Sequence, residues 1–135
     1  MAQQEVQPLV RRGVELEVAN VMPSIGSKEL VALLPTLLGL APGDVMVQPT
    51  LAYPTYAIGA AIVGATVLSS DDPAEWPAET RLIWLNSPSN PDGRVLGIEA
   101  LHAAVVRARE LGAVIVNDEC YAELTWVDDG PTPSI

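Results

Sequence analysis

Histidine and cysteine are almost missing from this sequence, with His102 and Cys120 the single examples of each. One thiol closes no disulfide within the chain, and the pair falls short of a Cys/His zinc site, so no metal site is expected. Basic residues are scarce as well. Seven Lys and Arg stand against 17 Asp and Glu, a formal charge of −10, which is the wrong sign for gripping a phosphate backbone; no nucleic-acid partner is expected. The longest apolar stretch, residues 57–68, is too short to span a bilayer. Met1-Ala2-Gln3-Gln4-Glu5 lacks the basic flank and apolar core of an export signal. Membrane anchoring and export are therefore not expected, and the cytoplasm is the expected compartment. Neither a Gly-x-x-x-x-Gly-Lys-Ser/Thr loop nor a Gly-x-Gly-x-x-Gly turn occurs, and no segment repeats.

What is present is apolar and alternating. The chain has 135 residues, room for one domain, and 49 % of them are hydrophobic. That share is high for a domain with so much surface per residue, and a partner or further chain is expected to cover part of it. Leu30, Leu33, Leu34, Leu37 and Leu38 share one helical face behind a start at Gly26-Ser27, with Pro35 expected to kink or shorten the helix. Val45-Met46-Val47 reads as a buried strand, and residues 53–63 as a small-residue helix opened by Pro54. Thr66-Val67-Leu68 and Arg81-Leu82-Ile83-Trp84-Leu85 read as strands separated by an acidic surface loop, residues 69–79. Residues 98–111 form a helix with Gly112 as its C-cap, and Ala113-Val114-Ile115-Val116 is a strand running into Asn117-Asp118. The end, residues 128–135, looks irregular. This order of elements predicts an α/β fold, a mostly parallel sheet flanked by helices.

Ligands of such sheets sit beyond the carboxyl ends of the strands. Tyr53 and Tyr56 follow the first strand, the segment from Asn86 to Gly93 the third, and Asp118 and Tyr121 the fourth. Together with a helix start at Gly26-Ser27-Lys28, they offer an aromatic face, an amide, a carboxylate, a phenol and a phosphate-accepting helix end. That set suits a flat, phosphorylated heteroaromatic. Singly, each element has a plainer meaning: Ser27 an N-cap, Asn90-Pro91 a turn, Asp118 a cap or turn residue.

Taken together, Asn90-Pro91-Asp92-Gly93 followed by Asp118-Glu119-Cys120-Tyr121 resembles the fold type I pyridoxal-phosphate aminotransferases, whose hallmarks are an Asn-Pro-Thr-Gly turn and a later Asp-x-x-Tyr. Gly26-Ser27-Lys28-Glu29 is similar to that family's phosphate loop, and Ala52-Tyr53-Pro54-Thr55-Tyr56 to the segment carrying its ring-stacking aromatic. Among members, Ile25-Gly26-Ser27-Lys28-Glu29-Leu30, Leu85-Asn86-Ser87-Pro88 and Asn117-Asp118-Glu119-Cys120-Tyr121 look most like actinobacterial N-succinyldiaminopimelate aminotransferases of lysine biosynthesis. The resemblance implies pyridoxal 5′-phosphate as cofactor, with Asp118 at the pyridine nitrogen and Asn90 and Tyr121 donating to the phenolate oxygen. It places Tyr53 against the ring face, Ser27 with the backbone of Gly26 and Lys28 at the phosphate, and Tyr56 behind these or in the core. It also implies amino-acid and 2-oxo-acid substrates and a homodimeric parent enzyme.

Two departures accompany it. Asp92 stands where the family turn has Thr, so altered turn hydrogen bonding is expected with Asn90 still usable. The family's Schiff-base lysine lies downstream of Asp-x-x-Tyr, whereas Lys28 is the one lysine here and lies upstream. No catalytic lysine is therefore assigned, and the small domain and the carboxylate-gripping arginine are likewise missing. The expected organisation is an N-terminal lead-in, 1–24, a partial cofactor-binding large domain, 25–127, and a truncated tail, 128–135. Two alternatives stay open: a carbon–sulfur lyase of the same fold, and a noncatalytic remnant that acts as a binding or interaction module.

Overall fold

The computed structural model describes residues 9–11, 14–124 and 132–135. Strands β1 (Leu9–Arg11) and β2 (Val14–Leu16) pair antiparallel, with Leu9 opposite Leu16, a hairpin that the patterning of the lead-in does not announce. Next come α1 (Ser27–Leu37), β3 (Val45–Gln48), α2 (Thr55–Val63), β4 (Thr66–Ser69), β5 (Thr80–Asn86), α3 (Ile98–Leu111) and β6 (Val114–Asp118). The last four strands form one parallel sheet in the order β4-β3-β5-β6. These bounds lie within a residue or two of the sequence expectation, because each strand is a β-branched or aliphatic run closed by Gly, Pro or a polar residue. Residues 128–131 of the expected tail lie outside the described residues; 132–135 carry neither helix nor strand.

Alternation along the strands builds a core on each face. Met46, Leu82 and Trp84 turn toward α1 and α2, where they meet Val31, Tyr56 and Ala60. Val47, Ile83 and Leu85 turn toward α3, where they meet Leu101, Ala104 and Ala108. Trp76, 2 % exposed, belongs to this second core. The acidic stretch 69–79 is thus only partly a surface loop: a short 3-10 turn, Pro73–Glu75, drops the indole under α3, and burial of one large aromatic outweighs the polar residues around it.

Pro35 sits in the last turn of α1, and the helix ends two residues later, as expected of a residue with no N–H. The same place is where α2 crosses. A Cβ on Gly59 would stand 2.9 Å from the Ala32 carbonyl oxygen, 3.2 Å from that of Val31 and 3.1 Å from the Pro35 ring. Gly59→Ala is accordingly expected to destabilise by about 1–3 kcal/mol although alanine is the better helix former by about 1 kcal/mol. Thermal unfolding checks this: a melting temperature lowered by several degrees is expected, and an unchanged or raised one would show that the helices separate freely.

The chain adds β4 on one side of β3 and then crosses back to place β5 on the other. This reversal opens a crevice at the carboxyl ends of β3 and β5.

Candidate active site

Three strand ends and one helix start meet at that crevice. β5 ends at Asn86 and β6 at Asp118, and the two residues are register partners across the parallel pair. Asn86 is 5 % exposed. Its Nδ2 donates to the Asp118 carbonyl at 2.8 Å and to the Pro88 carbonyl at 3.2 Å, while its Oδ1 accepts the Asn90 N–H at 2.8 Å. The Ser87 N–H also donates to the Asp118 carbonyl, at 3.2 Å. The turn after β5 is thereby tied to the end of β6. In that turn Asp92 Oδ1 accepts the Arg94 N–H at 3.2 Å, and hydrogen bonds from Ser89 and from Arg94 hold the Asp92 carboxyl below its ordinary range. Aspartate thus closes the turn where the related motif has threonine.

The Asp118 carboxylate is held at both oxygens. Tyr56 Oη donates to Oδ2 at 2.9 Å and the Cys120 N–H to Oδ1 at 3.2 Å. Tyr56 is fully buried, stacked on Trp84 with ring centroids 4.9 Å apart and edge-on to Tyr53 at 6.0 Å. Burial first, and then the neighbouring Asp118 charge, push its phenol far above the ordinary tyrosine range. It therefore stays a donor at any working pH, and a half-buried carboxylate keeps one orientation.

At α1 the N-cap is Gly26, at φ +77°, and no side chain caps the helix. Only glycine takes that backbone without strain. Ser27 is the first helical residue, not the cap, and its hydroxyl lies 3.2 Å from Cys120 Sγ. The thiol is pushed up: the Ser27 hydrogen bond opposes this, but the hydrogen bond and charge of Asp118, with desolvation, outweigh it. The helix N–H groups of the first turn have no partner within the helix, so they face the crevice end ready for an anion.

Ser27, Lys28, Tyr53, Asn90, Asp118 and Tyr121 line one cavity of about 140 Å³. Gly26 is not among the lining residues; it supplies the turn that aims the helix. Asn86 and Cys120 line the same cavity; the sequence places the segment beginning at Asn86 at this edge but gives neither residue a role of its own.

Comparison with known proteins bears on this arrangement directly. The family model for aminotransferase class I and II matches residues 2–133. The chain belongs to that family. It is 48 % identical over 117 residues to the 4-dedimethylamino-4-oxo-anhydrotetracycline transaminase OxyQ of Streptomyces rimosus, covering 86 % of this chain and 33 % of that protein. Against "Probable aminotransferase Rv1178" of Mycobacterium tuberculosis it is 51 % identical, covering 90 % of this chain and 30 % of the relative. The solved N-succinyldiaminopimelate aminotransferase of Mycobacterium tuberculosis superposes with a TM-score of 0.68 at 27 % identity, over 82 % of this chain and 32 % of that one. The chain thus spans about a third of the length of the curated relatives it matches.

Pyridoxal 5′-phosphate is the cofactor of this aminotransferase family, and the donor set of the cavity fits it. A carboxylate fixed at both oxygens suits a protonated ring nitrogen, a tyrosine face suits the ring, and a helix start with no side-chain cap and a serine hydroxyl beside it suits a phosphate dianion. Among the described residues no helix is long and apolar enough to cross a membrane.

Proposed function

We propose that the whole protein moves an amino group between an amino acid and a 2-oxo acid, with pyridoxal 5′-phosphate seated in the cavity between α1, β5 and β6. The observation that carries this reading is the Asp118 carboxylate, oriented by Tyr56 and the Cys120 N–H into the cavity that Ser27 opens at the start of α1. When bound, the cofactor supplies an electron sink for the charge left at the substrate's α-carbon.

The residues of this chain bind and tune it. The Asp118 carboxylate would face the ring nitrogen, where a negative charge favours the protonated pyridinium form. Asn90 and Tyr121 donate to the phenolate oxygen and stabilise its charge. Tyr53 covers one ring face and excludes water there. The Ser27 hydroxyl and the backbone N–H groups around Gly26 and Lys28 receive the phosphate, for which the Ser27 hydroxyl exchanges its contact with Cys120.

For the substrate we infer N-succinyl-LL-2,6-diaminopimelate with glutamate as the amino partner, in lysine biosynthesis, and for the protein a cytoplasmic homodimer with residues 25–127 as its cofactor-binding part. Support comes from the phrases around Ser27, Asn86 and Asp118 and from the likeness to a solved N-succinyldiaminopimelate aminotransferase. The test is an assay of the whole protein supplied with pyridoxal 5′-phosphate. Addition of glutamate is expected to release 2-oxoglutarate in one equivalent per site, with multiple turnovers once the 2-oxo acid that corresponds to N-succinyl-diaminopimelate is added. Release of ammonia and pyruvate from a cysteine conjugate, with no need for an oxo acid, would instead make the protein a carbon–sulfur lyase.

A further inference from the structure

One buried amide stands between the two parts of the cavity that are assigned the ring nitrogen and the phenolate oxygen of the cofactor. Asn86 touches the Asn90 turn through Oδ1 and the Asp118 strand end through Nδ2, and the second Nδ2 contact, to the Pro88 carbonyl, closes its own loop. It is 5 % exposed, and both its oxygen and its nitrogen are used. Each bond is made to backbone, so it constrains where the neighbouring residues sit without competing for their side chains. The register pairing of Asn86 with Asp118 fixes β6 lengthwise against β5, but the ladder ends there. Beyond it, the Asn90 turn is joined to β6 by the Asn86 amide and the Ser87 N–H alone among the hydrogen bonds described.

We propose that Asn86 is a positioning residue: its amide sets the spacing between Asn90 and Asp118 before the cofactor arrives, so that the site is built in the empty protein. The inference rests on the cofactor reading above for the roles of Asn90 and Asp118. Its physical content is pre-organisation. Removing the amide leaves the Asn90 N–H without its acceptor and the Asp118 carbonyl with one donor fewer in a buried setting, and both groups then shift to find others. Asn90 no longer meets the phenolate oxygen while Asp118 meets the ring nitrogen. The side chain of Asn86 touches no reacting atom, and it acts only through these two neighbours.

Two measurements test this on the full chain. The first needs no substitution: with ¹⁵N-asparagine labelling, the Asn90 amide is expected to be protected from hydrogen exchange in the cofactor-free protein and to gain little on loading. Protection that arises only with pyridoxal 5′-phosphate would overturn the proposal, since the turn would then be ordered by the ligand. The second compares Asn86→Ala with Leu101→Ala, a core change on the far face of the sheet. Asn86→Ala is expected to weaken pyridoxal 5′-phosphate binding about 10- to 100-fold. It should also raise, by about one unit, the pH at which the bound chromophore's visible band titrates, because a poorly placed Asn90 stabilises the phenolate less. Leu101→Ala at a comparable loss of melting temperature is expected to leave that midpoint in place. In an Asn90→Ala background, Asn86→Ala should add almost nothing to the shift. Equal shifts for Asn86→Ala and Leu101→Ala, or full additivity with Asn90→Ala, would reduce Asn86 to an ordinary core residue. Failure of the unsubstituted protein to bind pyridoxal 5′-phosphate would count against the cofactor reading, while the exchange measurement would still decide the role of Asn86.

Discussion

Replacing Asp118 with alanine is expected to lower kcat of the whole protein by about 10³-fold, on the order of 4 kcal/mol of barrier. Tyr56→Phe is expected to cost about tenfold or less. The two residues are bonded to each other at 2.9 Å, so the contrast separates the charge from its support. Asp118 alone supplies a negative charge to the ring nitrogen in the proposed site. Without it the nitrogen gives up its proton, and the stabilisation lost is the part that grows as charge develops at the α-carbon; the loss therefore falls on kcat more than on binding. Phenylalanine at 56 keeps the stack on Trp84 and removes one donor, leaving the carboxylate its Cys120 N–H. Because burial and the Asp118 charge keep the Tyr56 phenol protonated, the ratio of wild-type to Tyr56→Phe rates should stay flat from about pH 6 to pH 10. Steady-state kinetics with glutamate check both statements. Equal, mild losses for the two variants would remove Asp118 from the ring nitrogen.

Most of the sheet is legible in the sequence because buried parallel strands leave short aliphatic runs, and helices leave Gly or Pro at their ends; Gly112, at φ +65°, caps α3 as its position suggests. Legibility fails where tertiary contacts outvote local polarity. Trp76 lies in an acidic, proline-rich stretch that reads as surface, yet its ring is needed to fill the space under α3. Ser27 reads as an N-cap on propensity, but Gly26 occupies that position and frees the hydroxyl for the crevice. Asp118 and Asn90 are legible through the resemblance of their motifs to those of the family, since each motif is a continuous stretch of chain. The Asn86–Asp118 and Tyr56–Asp118 hydrogen bonds are not legible, because they join residues that are distant in sequence, 32 and 62 positions apart, and no local pattern encodes such pairs.

The second large effect concerns what 135 residues with a single lysine can do on their own. Lys28 is that lysine, the second residue of α1, and in the proposed site its backbone N–H serves the phosphate. Amino-group transfer needs an amine that captures the cofactor's aldehyde and then carries a proton between the substrate α-carbon and the cofactor. In the proposed orientation the aldehyde stands across the ring from the nitrogen that Asp118 holds, and a side chain anchored at the phosphate end is not aimed along that proton path. Loss of a positioned general base costs about 10²- to 10⁴-fold, and loss of orientation adds up to roughly 7–11 kcal/mol. The 135-residue chain by itself is therefore expected to bind pyridoxal 5′-phosphate reversibly, through Asp118, Asn90 and the α1 start, and to show no transamination above the rate of free cofactor. Borohydride reduction followed by peptide mapping should find no stoichiometric label at Lys28, and Lys28→Arg should leave the cofactor-binding affinity within about tenfold. Stoichiometric labelling of Lys28 together with enzyme-like turnover by a mass-verified 135-residue chain would assign the amine to α1 and reverse this reading.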